Sequence, residues 1–163
     1  MESGADPENA GADGVESTGE TAAEASGGTV TLNDLFAGDG LDFTYEKATF
    51  EKDYVFNNYY HLTPSDGSDY LILSFTVSNT TEAALDVDLY SLEPKFTAIV
   101  DGSAYTSDTT ILPNDLATYL TTIEGNATDK AILLFEVPQS ASKDVNAVGL
   151  QVSVGGTTYN ISL

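Results

Sequence analysis

The stretch "DKAILLFEVP", residues 129–138, sets the tightest limit on what this chain can fold into. Gly125-Asn126 stands before it and Pro138 closes it, so the apolar run is too short for a typical helix. Strand alternation puts Ala131, Leu133, Phe135 and Val137 on one face, and Ile132 and Leu134 beside Glu136 on the other. A strand apolar on both faces is expected at the centre of a packed sheet. Its outer side should lie under a loop or the N-terminal segment.

Segments of the same kind recur along the chain. "YLILSFTVSN" (70–79) aligns Leu71, Leu73, Phe75 and Val77, and "ALDVDLY" (84–90) sets Leu85, Val87 and Leu89 against Asp86 and Asp88. "KFTAIV" (95–100) runs into an Asp101-Gly102 hairpin turn and "SAYTS". "LATYLTTIEG" (116–125) follows the turn "LPND". "VGLQVSV" (148–154) turns at Gly155-Gly156 into "TTYNISL". Only "TLNDLFAGDG" suggests a helical turn or an irregular lead-in, stopped by Gly38 and Gly40. Short strands at this spacing predict an all-β antiparallel sandwich of seven to nine strands.

The first 30 residues are of another character. They hold seven acidic residues, no basic one and no aromatic, among Gly, Ala, Ser and Thr. Such a stretch has too little apolar surface to offset its ordering entropy, so residues 1–30 are expected to be a disordered acidic tether. Residues 31–163 are then the folded domain. They carry 19 acids against lysines 47, 52, 95, 130 and 143, a net charge of −14. The chain has no arginine, and its total charge of −21 repels nucleic-acid phosphate and anionic lipid. It has no cysteine, which rules out disulfides, thiolate metal sites and cysteine nucleophiles within these residues. No basic segment followed by an apolar one stands at the N-terminus, so a secretion signal is expected upstream of residue 1.

The order of segments is similar to that of the immunoglobulin-like domains of unknown function in secreted Gram-positive lipoproteins, whose fold resembles the mycobacterial immunoprotective extracellular antigen. Tyr70-Leu71, Val77 to Asn79, Leu112-Pro113 and Phe135 to Pro138 carry the resemblance, which covers residues 41–163. Asn114-Asp115 stands where that family usually has glycine, a departure that turn chemistry tolerates. The resemblance implies an immunoglobulin-like sandwich outside the cell, reached through a polar tether from an upstream lipid-modified cysteine. It implies no catalytic residues.

His61 is the only histidine and no Gly-x-Ser-x-Gly elbow is present, so a hydrolase is a poor reading and no enzyme is expected. "GDGLD" (38–42), "SDGSD" (65–69), "DVD" (86–88) and "VDG" (100–102) offer oxygen ligands that calcium accepts if they meet at one end of the sandwich, although turn chemistry alone explains them. Otherwise no cofactor is expected. The run Tyr54, Phe56, Tyr59, Tyr60 has more aromatics than a turn needs. Tyr54 and Phe56 read as core. Tyr59 and Tyr60 are adjacent, so on a strand at least one is exposed, offering contact area with a polar tip. Tyr59, Tyr60, His61, Asp66 and Asp69 are therefore the expected ligand or partner surface.

The expected object is a monomeric, non-catalytic, extracellular binding module with a protein or glycan partner at the cell envelope. It meets the membrane only through an upstream anchor. A calcium-dependent or carbohydrate-binding adhesive module is the alternative. Recognition is expected at loops at one end of the sandwich or at an exposed sheet edge.

Overall fold

A computed structural model describes residues 20–163; the acidic stretch 1–19 lies outside the described residues. The strands in chain order are β1 (Glu20–Thr21), β2 (Thr29–Val30), β3 (Leu41–Glu51), β4 (Tyr54–Phe56), β5 (Tyr60–Leu62), β6 (Ser68–Asn79), β7 (Leu85–Asp88), β8 (Lys95–Val100), β9 (Ser103–Thr106), β10 (Leu120–Ile123), β11 (Thr128–Pro138), β12 (Gly149–Val154) and β13 (Thr157–Ile161). Nine of these have four or more residues, as the strand-like segments predict. The other four are edge pairs and a small hairpin. One helical turn, α1 (Leu32–Phe36), is fixed by a capping box in which Thr31 and Asp34 bond each other's backbone N–H.

The fold is a β-sandwich. One sheet runs β1-β9-β8-β12-β13-β2, antiparallel except for the short β13–β2 contact. The facing layer is β11-β6-β3, and a separate β10-β7 ribbon is bonded to the end of β6 through Asn79. Between the layers, Leu71, Leu73, Phe75 and Val77 of β6 and the four inner residues of β11 share one core with Phe96, Ala98, Leu150 and Val152. Behind β6 and β11 lies a second, smaller cluster of Tyr70, Ile72, Ile132 and Leu134.

Both faces of β11 are thus buried, but the strand sits at the margin of its ladder, not at the centre. It pairs with β6 along eleven residues, and in this three-stranded layer β6 is the strand flanked on both sides. Its other edge is closed by non-strand chain. Asp108 N donates to Leu134 O at 2.8 Å, and Ile132 N donates to Asn114 O at 2.8 Å. Alternation reports what lies above and below a strand and is blind to what lies beside it. The cover over Ile132 and Leu134 is the β4–β5 hairpin, through Tyr54 and Leu62.

The N-terminal segment crosses the other sheet instead. Residues 20–30, expected within the disordered tether, carry β1 and β2 and join both edges of the six-stranded sheet. Gln151 Nε2 donates to Ala23 O, Gly27 N to Thr158 O and Asn160 N to Gly28 O, at 2.9, 2.9 and 2.8 Å. Main-chain bonds hold this stretch, and composition does not report them. Leu116–Thr118, expected in a strand, instead make a 3₁₀ turn, capped by the Asp115 side chain, which accepts from Ala117 N.

Asn79 is the knot at the far end of β6. Its side chain, 2% exposed, donates to Ala83 O, Ile123 O and Glu124 O, and accepts from Thr81 N and Thr81 Oγ1. Gly125 makes the same corner possible, since a Cβ there would stand 2.0 Å from Glu82 O. Asn79→Ala leaves those carbonyls without their donor, and should lower unfolding stability by about 3 kcal/mol or more. Gly125→Ala should cost about 2 kcal/mol through the forced backbone shift. Urea melts of the two variants check both figures.

Candidate functional site

The hairpin that covers the second cluster also presents the most exposed aromatic among the described residues, Tyr59. Asn57 and Asn58 adopt φ of 51° and 62°, and Tyr59 N donates to Phe56 O at 3.2 Å, the arrangement of a type I′ turn. Asparagine tolerates this left-handed backbone, so "FNNY" makes the turn without glycine. Tyr54 and Leu62, opposite each other in register, point inward. The Tyr54 hydroxyl accepts from Asn114 Nδ2 at 3.0 Å, which pins the hairpin to the segment closing β11. Val55 and His61, the next pair in register, face solvent.

Tyr59 at the tip is 89% exposed and Tyr60 is 49% exposed. The Phe56 and Tyr60 rings lie 6.2 Å apart, which stiffens the tip. His61 Nε2 is 2.7 Å from Asp53 Oδ2, with both side chains largely in solvent. Among the described residues no serine or threonine hydroxyl bonds this pair.

Three of the expected residues, Tyr59, Tyr60 and His61, therefore share one hairpin. Asp66 stands outside it, exposed on the tight turn where Ser68 N donates to Ser65 O. Asp69 lies apart from the hairpin and is taken up by two lysines. It is 7% exposed and held by Lys143 Nζ at 2.9 Å and Lys52 Nζ at 3.3 Å, with Lys143 also 4.9 Å above the Phe50 ring. The Lys143 bond leads in holding its carboxyl below the usual aspartate range. Parity explains the burial: residues 69, 71, 73, 75 and 77 share the core face of β6, so Asp69 is the charged end of a buried row.

Beneath the hairpin is an acidic seat that no sequence motif marks. Burial, then Glu136 and Asp115, push the Asp108 carboxyl up to about 6. Burial, then Asp108 and Glu136, push the Tyr70 hydroxyl up to about 12. Burial also raises Asp115, against its bonds from Thr110 and Ala117. Glu136 itself accepts from Ser65 N just beyond β5.

The four carboxylate-bearing turns do not converge. "GDGLD" and "DVD" border one hollow at the Asn79 end of β6. "SDGSD" lies at the Ser68 end, and Asp101 accepts from Ser142 N beside Lys143 at that same end. Among the described residues no group of three His, Cys, Asp or Glu is placed to hold a metal ion.

The folded state holds the Asp108 proton more tightly than the unfolded chain does. Unfolding therefore releases it between the ordinary value of 3.8 and about 6. This group's share of stability is present below that window and lost as pH rises through it. Asp108→Asn should remove that decline and stabilise the protein at pH 7, relative to pH 4, by about 1–2 kcal/mol after allowance for partial exposure. Paired denaturant melts at the two pH values measure the difference.

A comparison with known protein families finds none that matches the chain, and a search of curated proteins finds no significant relative. Solved structures do show similarity. An uncharacterized β-sandwich protein from Clostridium difficile 630 is 19% identical, over 87% of this chain and 97% of that one, with a TM-score of 0.47. A conserved hypothetical protein from Bacillus anthracis is 11% identical, over 76% and 89%, with a TM-score of 0.42. A candidate lipoprotein, ycdA, from Bacillus subtilis is 16% identical, over 77% of this chain and 37% of that one, with a TM-score of 0.41.

Proposed function

We propose that the protein is a non-catalytic binding module of the immunoglobulin-like kind, working as a monomer at the outer surface of a Gram-positive cell. The aromatic hairpin is its recognition element. The observation that carries this reading is the tip: a tyrosine 89% exposed, beside a second, on a hairpin whose base packs on the second cluster and is bonded through Tyr54. Exposed tyrosines on a stiff support give contact area at low entropic cost, and their rings suit either a peptide surface or the apolar face of a sugar.

The location is supported by the resemblance carried in Tyr70-Leu71, Val77 to Asn79 and Phe135 to Pro138, together with the acidic low-complexity lead. A non-catalytic role is supported by His61, whose partner Asp53 stands in open solvent and not in a cleft.

Labelled protein should be retained by envelope fragments of a Gram-positive bacterium. The Tyr59→Ser/Tyr60→Ser variant should lose roughly tenfold or more in affinity, the scale expected for aromatic anchors, with its melting temperature unchanged. Retention that survives protease treatment of the fragments assigns a glycan, and retention lost to protease assigns a protein. Equal retention of wild type and variant would rule the hairpin out as the recognition element.

A further inference from the structure

The ribbon at the opposite end of β6 carries a second surface. β7 is bonded to β10 on one side and, among the described residues, to no strand on the other. Residues 85–89 all border a hollow that no residue of β10 touches, so the hollow runs along the unpaired edge of β7. Leu35, Leu41 and the exposed Leu92 line it as well.

Register shows what β7 offers there. Leu89 N donates to Tyr119 O at 2.8 Å, and Asp88 faces Leu120. Hydrogen-bonded pairs alternate along an antiparallel ladder, so Val87 with Thr121 is the next such pair. The N–H and C=O groups of Asp86 and Asp88 therefore point away from β10, into the hollow. Among the described residues, every charged one bordering it is acidic: Asp39, Asp86 and Asp88. The five lysines all lie elsewhere.

We infer that the free edge of β7 is a strand-addition site for a short, extended, basic segment of a partner protein. Its main chain bonds Asp86 and Asp88, its apolar side chains enter the hollow between Leu35 and Leu92, and its lysines or arginines meet the three aspartates. Four strand residues give a site of roughly 13 Å, enough for four or five residues of peptide. A second copy of this chain fits poorly, because edge-to-edge pairing of two β7 strands brings aspartates against aspartates.

The probe is the capped heptapeptide KVKLKVK, with EVELEVE as its charge-reversed control, titrated into the whole protein at physiological ionic strength. Saturable binding of the basic peptide is expected. Exchange of the Asp86 and Asp88 amide hydrogens should slow with occupancy, and EVELEVE should leave both unchanged. Asp86→Asn/Asp88→Asn should weaken binding roughly tenfold by removing the two facing charges. Leu92→Lys, on an exposed position, gives an independent loss if the double variant unfolds. Chemical-shift changes spread over the acidic surface without slowed exchange at Asp86 and Asp88 would overturn the inference, as would failure of KVKLKVK to bind. So would slowed exchange at both amides without peptide that grows with protein concentration, since it would assign the edge to self-pairing.

Discussion

Strand β6 is buried on both faces, and the other parts of the molecule take their places from that constraint. Leu71, Leu73, Phe75 and Val77 require the six-stranded sheet in front of them; Tyr70 and Ile72 require a cover behind. A single sandwich interface satisfies only the first. The second is met by folding residues 54–62 back as a small hairpin and by running residues 108–115 along the edge of β11. Asn79 ends the strand by gathering three carbonyls from two other segments, which ties the β7–β10 ribbon to the same axis.

The two proposed recognition surfaces belong to the parts that cover and extend this axis. A two-stranded hairpin has two faces, and only one is used in covering Ile132 and Leu134. The other is left to present Val55 and His61, with Tyr59 exposed at the tip and Tyr60 half exposed beside it. The ribbon has two edges, and among the described residues only one is paired. The chain's acidity is distributed accordingly: acids border the free edge of β7 and stand under the hairpin, while two of the five lysines are spent on Asp69. The two surfaces differ in kind, one aromatic and convex, the other concave, acidic and offering main chain.

Much of this was legible in the residues. The alternation of "YLILSFTVSN" and "DKAILLFEVP" fixed which side chains meet in the core, and the two-faced burial of residues 131–137 foretold a second layer. The same parity held the fate of Asp69, two residues before Leu71, although its place in "SDGSD" read as a turn. What lies beside a strand was not legible. The marginal place of β11, the strap of residues 20–30 and the open edge of β7 all depend on backbone bonds between distant segments, which carry no side-chain signature. The acidic seat was hidden for a related reason: Asp108, Asp115 and Glu136 come from separate stretches and meet only in the fold.

The most direct test of the central role of β6 is native-state hydrogen exchange on the whole protein. Amides from Leu71 to Val77 should exchange only through complete unfolding. Their opening free energy should equal that from denaturant melts, and amides of β8 and β12 should open together with them. If β6 exchanged through a smaller opening that left β8 and β12 protected, the sandwich would not depend on this strand, and its central role would be refuted.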